Sequence, residues 1–202
     1  MSPATESTSK RLMELYFIRH GETEWSLSGR HTGRTEIPLT PHGGKQAREL
    51  GLRLQMLGFS RVLTSPRQRA RQTCKLAGLT PSAEIDADLS EWDYGDYEGR
   101  TTAEIRVHRP GWNVYRDGCP GGETPAQVSD RADRVIARLA AKERNIALFS
   151  HGQFGCVFAA RWIGLPVTEG QHFSLGSASV NILGYYPGHP EIPVIVRLNG
   201  TP

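Results

Sequence analysis

Three short blocks of this chain place histidine or arginine beside serine or glycine. Arg19 and His20 precede a glycine, Arg69 lies in the block SPRQRAR that begins at Ser65, and a Ser-His-Gly block contains His151. Guanidinium groups are the best single suppliers of hydrogen bonds to phosphate oxygens. Neighbouring cations also lower the pKa of a histidine, so its ring stays neutral and can attack phosphorus. Together these residue types favour a site that binds and attacks a phosphate monoester.

An acidic cluster lies in the middle of the chain. Attack by histidine on a phosphate ester needs a carboxylic acid that protonates the leaving oxygen and later deprotonates a water molecule. The segment DLSEWDYGDYEG, at residues 88–99, is the natural place for that acid. Its candidates lie close together in sequence, and the residue types alone do not choose among Asp88, Glu91, Asp93 and Asp96.

Alternating strand and helix patterns place the three blocks in a fold. Buried strands that end at the blocks are predicted for residues 12–18, 61–64 and 145–149. Helices are predicted at residues 39–57, 66–76 and 154–163 and from a cap at Thr124 onward. The late runs SVNILGYY and IPVIVRL complete a sheet. This alternation predicts an α/β fold, a three-layer sandwich with a mostly parallel central sheet. Ligands bind at the carboxyl ends of such strands, so we expect the three blocks in one crevice.

The length of 202 residues fits one well-buried domain. We assign that domain to residues 11–198, with a flexible N-terminus at 1–10 and a flexible tail at 199–202. Residues 83–122 are the least regular stretch, rich in aromatic, glycine and acidic residues, with one helix near 102–109. This stretch is predicted to form a small cap inserted in the domain.

Composition excludes several other classes of protein. The net charge is +3, and the 24 basic and 21 acidic residues are interspersed, which argues against a nucleic-acid or membrane partner. Three cysteines far apart are too few for a disulfide framework or a zinc site, and they fit a reducing compartment. The sequence shows neither a signal peptide nor a membrane span. We therefore expect a cytoplasmic protein.

The blocks RHGETEW, SPRQRARQT, LSEWDYGDYEG and SHG, in this order and at these spacings, resemble the histidine phosphatase superfamily. That superfamily has the phosphoglycerate mutase-like fold, and the resemblance extends over almost the whole chain. It implies an enzyme that acts on a small phosphorylated metabolite through a phosphohistidine. It also implies that neither a metal nor another cofactor is needed.

The resemblance also implies a role for each matching residue. His20 matches the phosphorylated nucleophile, while Arg19 and Arg69 match the pair that grips the phosphoryl group. His151 matches the second histidine, which stabilises the transferring oxygens, and Glu91 matches the proton donor. Positions that line the substrate pocket in the superfamily correspond to Ser26, Thr32, Gly33 and Tyr94.

Other histidines and arginines are interpreted as structural or exposed. Arg67 and Arg71 lie about 100° to 200° around a helix from Arg69, so they are predicted to lie on a solvated face. Cys156 is predicted to be a core residue. We predict surface or loop positions for the remaining histidines, which are His31, His42, His108, His172 and His189.

Within the superfamily, the region WNVYRDGCPGGET separates a phosphatase from a mutase. Cofactor-dependent mutases have a longer cap with consecutive arginines, whereas this chain has a single Arg116 followed by Asp117. The chain looks instead like a subgroup that includes fungal sedoheptulose bisphosphatase and actinobacterial acid phosphatases. A metal-independent phosphomonoesterase acting on a sugar phosphate is the first expectation. Phosphoglycerate mutase activity and an inactive phosphate-binding module are the alternatives. A late strand at residues 192–198 could pair across a homodimer.

Overall fold

The structure, a computed structural model, describes residues 13–139 and 145–200. Its strands are β1 (Leu15–Arg19), β2 (Arg61–Thr64), β3 (Ala83–Ile85), β4 (Ile146–Ser150), β5 (Val180–Tyr186) and β6 (His189–Gly200). Its helices are α1 (Glu24–Leu27), α2 (Pro41–Leu54), α3 (Gln68–Leu76), α4 (Thr102–His108), α5 (Val114–Asp117), α6 (Pro125–Arg138) and α7 (Gly152–Trp162). Short 3-10 segments lie at Thr80–Ser82, Ala87–Leu89, Gly95–Tyr97 and Val167–His172.

One sheet of six strands runs through the molecule in the order β3-β2-β4-β1-β5-β6. The first four strands in this order are parallel, β5 pairs antiparallel with β1, and β6 pairs antiparallel with β5. The predicted α/β fold with a mostly parallel sheet is therefore confirmed. The strand predicted to begin at Leu12 starts at Leu15, and residue 12 lies outside the described residues.

Helices cover both faces of this sheet because its central strands are apolar on both sides. Along β1, Tyr16 and Ile18 pack on the side of α2 and α3, while Leu15 and Phe17 pack on the side of α6 and α7. Successive side chains of a strand point to opposite faces, so one short run supplies both cores. This arrangement gives the predicted three layers.

Two helices begin at the positions that their capping residues predict. The Thr40 hydroxyl accepts the N–H of Gly43 at 2.9 Å before α2, and Thr124 forms a capping box with Gln127 before α6. In contrast, α7 begins at Gly152, two residues before the predicted start. His151 is consequently the residue that precedes the first turn of α7.

The boundaries of the predicted cap and tail need correction. Residues 83–85, placed at the start of the cap, pair in parallel with β2 as an edge strand, so the name "cap" is kept here for residues 86–122. The helix expected in the cap is present as α4. Residues 199 and 200, expected in the tail, close β6. Residues 1–10 and 201–202, predicted to be flexible, lie outside the described residues.

The loop after β1 lies directly on α2, and two adjacent glycines test that contact. A Cβ atom on Gly43 would lie 2.2 Å from the carbonyl oxygen of Glu22, whereas a Cβ on Gly44 would meet nothing closer than 3.7 Å. We expect Gly43→Ala to lower the free energy of unfolding by roughly 1–3 kcal/mol, because the backbone must shift. Gly44→Ala should raise it by roughly 0.5–1 kcal/mol, because alanine is favoured inside a helix. Urea unfolding of both variants measures these free energies. Equal values for the two variants would contradict the expected effect of the close contact at Gly43.

Candidate active site

Three adjacent strands end together, and each is followed by one of the histidine or arginine blocks. His20 follows β1, Ser65 follows β2 and His151 follows β4. The His20 N–H donates to the carbonyl of Ser150 at 3.0 Å, and the Ser65 N–H donates to the carbonyl of Phe149 at 2.9 Å. The rings of His20 and His151 lie 5.3 Å apart between centroids. The structure therefore brings the three chain-distant blocks into one crevice.

His20 is buried, and its ring proton can be located from its contacts. Nδ1 lies 2.7 Å from the carbonyl oxygen of Gly21. Because a carbonyl oxygen can only accept, Nδ1 carries the proton and Nε2 carries a free lone pair. Burial lowers the pKa of His20 well below its usual value, and the charges of Arg69 and Arg19 lower it further. The neutral ring therefore presents Nε2 as a nucleophile. The Gly21 N–H, which donates to Thr73 Oγ1 at 3.0 Å, fixes the loop that carries this ring.

His151 is fully buried at the start of α7. Its Nε2 lies 2.8 Å from Ser65 Oγ, while Nδ1 is buried with no hydrogen-bond partner among the described residues. Burial, followed by the charge of Arg69, holds the pKa of His151 well below its usual value. If the Ser65 hydroxyl donates to Nε2, the neutral ring has its proton on Nδ1. His151 can then donate one hydrogen bond to a ligand.

The two arginines are held by backbone carbonyls rather than by carboxylates. Arg69, which is fully buried, donates through Nη1 to Thr35 and through Nη2 to Thr32 and Gly33, at 3.1, 2.7 and 3.2 Å. Arg19 donates through Nη1 to the carbonyl of Leu175. In both arginines Nε is buried with no partner in the part of the chain that the structure describes.

Unpaired buried donors cost free energy, so their concentration here requires explanation. Native structures leave few buried polar atoms unpaired, and an unpaired donor at a crevice points to a ligand that accepts its hydrogen bond. Arg19 Nε, Arg69 Nε and, in the tautomer in which the Ser65 hydroxyl donates, His151 Nδ1 are three such donors beside His20; the fourth unpaired atom of this kind among the described residues is Arg67 Nε. A tetrahedral oxyanion with several acceptor oxygens satisfies them together.

Glu91 is buried at the N-terminal end of α7. Its Oε1 accepts the N–H of Trp92 at 2.9 Å and of Phe154 at 2.7 Å, and its Oε2 accepts the N–H of Gln153 at 3.1 Å. These contacts fix the carboxyl group beside His20 and Arg19 in one cavity.

The other acidic residues of the DLSEWDYGDYEG segment serve other purposes. Asp88 pairs with Arg134 and Arg138, each at 2.8 Å. Asp93 pairs with Arg34 at 2.6 Å, and Asp96 is exposed. The structure thus places Glu91, and none of these three, in the lining of the cavity at His20.

This cavity has a volume of about 170 Å³ and opens between the β1–α1 loop and the cap. Of the five predicted catalytic residues, three line it, Arg19, His20 and Glu91, whereas Arg69 and His151 do not. Three predicted pocket residues also line it, namely Ser26, Thr32 and Tyr94. The remaining lining residues are Thr23, Trp25, Gly29, Arg30, His31, Thr102 and Gln153.

Gly33, predicted to line the pocket, packs closely between two loops. It does not belong to the cavity lining; its N–H donates to the carboxylate of Glu98 at 2.9 and 3.0 Å. A Cβ atom on Gly33 would lie 2.4 Å from the carbonyl oxygen of Trp92. Glycine is therefore required here by close packing of two loops.

Comparison with known proteins agrees with this geometry. The family model of the histidine phosphatase superfamily (branch 1) matches residues 15–199. The chain belongs to the histidine phosphatase superfamily. It is 46% identical to an acid phosphatase of Mycobacterium tuberculosis, over 93% of this chain and 94% of that one. It is 41% identical to sedoheptulose 1,7-bisphosphatase of Saccharomyces cerevisiae, over 75% of this chain and 68% of that one. A solved structure of an open reading frame product from Mycobacterium tuberculosis superposes with a TM-score of 0.88 at 43% identity, covering 95% of this chain and 99% of that one.

Among the lining residues that sequence reasoning did not assign to the site, one has a ring that can titrate. His31 was predicted to lie at the surface or in a loop, but it is 8% exposed and lines the cavity. Its ring stacks on Tyr94 at 4.6 Å between centroids, and its Nε2 lies 3.1 Å from Thr102 Oγ1. Its sequence neighbours are polar residues and glycines, which give no sign of burial. The other four histidines are exposed as predicted.

The pKa of His31 predicts how stability depends on pH. Burial lowers the pKa of His31 to about 4, and the charge of Glu98 opposes this only in part. Between about pH 6.5 and 4 the unfolded chain therefore binds more protons, so the free energy of unfolding falls as the pH falls. Between pH 7 and 5, we expect the free energy of unfolding of the wild type to fall by about 2 kcal/mol more than that of His31→Phe, which keeps the stacking on Tyr94.

Urea unfolding at the two pH values measures this difference. His108→Phe, at an exposed position at the end of α4, is the matched control and should keep the pH dependence of the wild type. An identical loss of stability in the wild type and in His31→Phe would contradict the prediction. His20 and His151 contribute in the same direction and remain in both proteins.

Two further structural findings concern metals and membranes. Among the described residues, no group of three or more His, Cys, Asp or Glu side chains is placed to hold a metal ion. Within residues 13–139 and 145–200, no helix reaches the length and apolarity that crossing a bilayer requires.

Proposed function

We propose that this chain is a metal-independent phosphomonoesterase that hydrolyses a small phosphorylated metabolite through a phosphohistidine intermediate. One observation carries this proposal. His20 offers an unprotonated Nε2 beside three buried donors that lack partners among the described residues, Arg19 Nε, Arg69 Nε and His151 Nδ1. A phosphoryl group bound by these donors would lie against the nucleophile.

The proposed reaction has two steps. In the first, His20 Nε2 attacks phosphorus, the N–P bond forms and the P–O bond to the leaving group breaks. Glu91 donates its proton to the leaving oxygen. In the second, water attacks the phosphohistidine while Glu91 accepts its proton, and inorganic phosphate leaves with the N–P bond broken. The two steps together return His20 and Glu91 to their starting states.

Three side chains stabilise the negative charge that develops on the phosphoryl oxygens. Arg19, Arg69 and the neutral ring of His151 donate hydrogen bonds to these oxygens, and the burial of Arg69 and His151 strengthens such bonds. The same charges and the burial keep the pKa of His20 low, so the nucleophile stays neutral at mildly acidic pH. One set of residues thus binds the dianion and prepares its attacker.

The leaving group occupies the outer part of the cavity in this proposal. Ser26, Thr32 and Tyr94 are proposed to contact it, since they line the cavity beside the nucleophile. A sugar phosphate is the proposed substrate class, in keeping with the sugar bisphosphatase among the relatives. Gly33 is proposed to act through the packing of its loop.

Hydrolysis of p-nitrophenyl phosphate in EDTA at mildly acidic pH tests the activity, and steady release of nitrophenol and phosphate is expected. Supplying 3-phosphoglycerate with catalytic 2,3-bisphosphoglycerate tests the mutase alternative. Rapid formation of 2-phosphoglycerate without free phosphate would replace the phosphatase proposal. Phosphate binding without release from any of a panel of phosphoesters would indicate a binding module.

We also propose a cytoplasmic homodimer. The three cysteines are free and buried, which suits a reducing compartment. One edge of β6 pairs with β5, and its other edge has no strand partner in the described ranges. Ile192 and Val196 on this strand are 44% and 52% exposed. Analytical ultracentrifugation measures the oligomeric state directly.

A further inference from the structure

Glu98, in the cap, holds the loop at residues 32–35 by its carboxylate. Oε1 accepts the N–H of Gly33 at 2.9 Å and of Thr35 at 3.0 Å, and Oε2 accepts the N–H of Gly33 at 3.0 Å. Hydrogen bonds to an ionised acceptor are stronger than those between neutral groups. The two amide groups of this loop are therefore tied to a single side chain that comes from a different part of the chain.

Arg69 holds the carbonyl groups of the same loop. Its two terminal nitrogens donate to Thr32, Gly33 and Thr35, and its Nε remains without a partner among the described residues. The positions of these three carbonyl groups therefore fix the direction in which Nε points. The loop lies between the carboxylate of Glu98 and the guanidinium group of Arg69.

Backbone pairing joins this loop to the cap as well. Arg30 and Thr101 form an isolated antiparallel bridge. The His31 N–H donates to the carbonyl of Arg100, and the Gly99 N–H donates to the carbonyl of His31, each at 2.9 Å. The loop and the segment of the cap around Glu98 therefore form one unit.

We propose that Glu98 is a positioning residue, which acts through the loop at residues 32–35 to aim Arg69 at the phosphoryl group. This proposal rests on the proposed phosphatase function. Glu98 is not among the residues that line the cavity. Without its carboxylate, the amide groups of Gly33 and Thr35 lose their acceptor and the carbonyls that orient Arg69 lose their anchor. The guanidinium group then spends less time in the orientation that meets the phosphoryl oxygens.

The first test is a series of substitutions at Glu98, assayed with p-nitrophenyl phosphate. We expect Glu98→Ala to lower kcat/KM by about 10- to 100-fold, the effect of small misplacements of a catalytic group. Glu98→Gln should recover part of this loss, because a single oxygen at the position of Oε1 accepts from both Gly33 and Thr35, while the NH2 group at the position of Oε2 cannot accept from Gly33. Glu98→Asp keeps the charge but is one methylene shorter, so it should remain impaired.

Glu104→Ala is the matched control. Glu104 also lies in the cap and also accepts a backbone N–H, that of Thr101 at 2.7 Å, but it belongs to the capping box of α4. It should leave kcat/KM close to that of the wild type. An equal loss in Glu104→Ala and Glu98→Ala would show that any loosening of the cap lowers activity, and it would overturn the proposal.

A double-mutant cycle with Arg69→Ala is the decisive measurement. If Glu98 acts through Arg69, adding Glu98→Ala to Arg69→Ala should cause little further loss, since the residue being aimed is already absent. If the fold losses in kcat/KM of the two single variants multiply in the double variant, the proposal is overturned. Should Glu98→Ala fail to fold, the cycle is made with Glu98→Asp, and an Asp variant as active as the wild type would overturn the proposal equally.

These outcomes are separable from a failure of the phosphatase function itself. A wild-type protein that hydrolyses no phosphoester would overturn the proposed function. An active wild type whose Glu98→Ala variant keeps full kcat/KM would overturn the positioning role alone.

Discussion

Replacing His20 with asparagine is expected to abolish turnover of p-nitrophenyl phosphate, lowering kcat by on the order of 10⁴-fold or more. The asparagine amide can still donate to the carbonyl of Gly21, so the loop should keep its shape. No nitrogen with a free lone pair remains at the position of Nε2, and attack on phosphorus is lost. Arg19 Nε, Arg69 Nε and His151 Nδ1 remain unpaired donors, so inorganic phosphate should still bind.

Two measurements distinguish this loss from general damage. Rapid quench in alkaline detergent with ³²P-labelled substrate should label the wild type through a bond that is stable to alkali and labile to acid, and should leave His20→Asn unlabelled. His42→Asn makes the same chemical change at an exposed position of α2 and should keep wild-type kcat. Labelling of His20→Asn, or undiminished turnover by this variant, would contradict the phosphohistidine mechanism.

The arrangement of the strands could be predicted from the sequence because it depends on local patterns. The apolar run that forms β2 was predicted with the bounds the structure has, and it stops at Ser65 before a proline. The parallel direction of β2, β4 and β1 then follows from their alternation with helices, whereas their order in the sheet was not predicted. Since parallel strands end at one edge, the meeting of His20, Ser65 and His151 could be predicted too.

The choice of acid could not be made from residue types alone. Glu91 is distinguished from its acidic neighbours by the N–H groups of Gln153 and Phe154, which lie more than sixty residues later in the chain. The resemblance to the superfamily pointed to Glu91, but periodicity and spacing do not register such long-range contacts. The burial of His31 has the same cause, since Tyr94 and Thr102 cover it from the cap.

The edge strand β3 was missed for a different reason. It has three residues, of which Glu84 and Ile85 are exposed, so it shows no apolar run of its own. Its pairing with β2 supplies its stability, and that pairing is a tertiary contact. A short stretch between two 3-10 segments therefore carried no strand signal.

Replacing Glu91 with glutamine is expected to lower kcat for a sugar phosphate by roughly 10²- to 10⁴-fold, the usual contribution of general acid–base catalysis. A sugar alkoxide is a poor leaving group, so without a proton from Glu91 the first step becomes slow. The nitrophenolate ion leaves without a proton, so the first step with p-nitrophenyl phosphate should stay fast. The second step still lacks its base with either substrate. The variant should therefore give a burst of one nitrophenol per active site, followed by slow turnover, and accumulate the phosphohistidine.

Stopped-flow absorbance measures the burst, and the alkaline quench measures the trapped phosphoenzyme. Asp93→Asn is the matched control, because Asp93 lies two residues away and pairs with Arg34 outside the cavity lining. It should show no burst and near wild-type kcat. Equal losses with the sugar phosphate and the nitrophenyl ester, without a burst, would mean that Glu91 holds the site together rather than transferring protons. A burst with the nitrophenyl ester and none with the sugar phosphate would assign both proton transfers to this one carboxyl group.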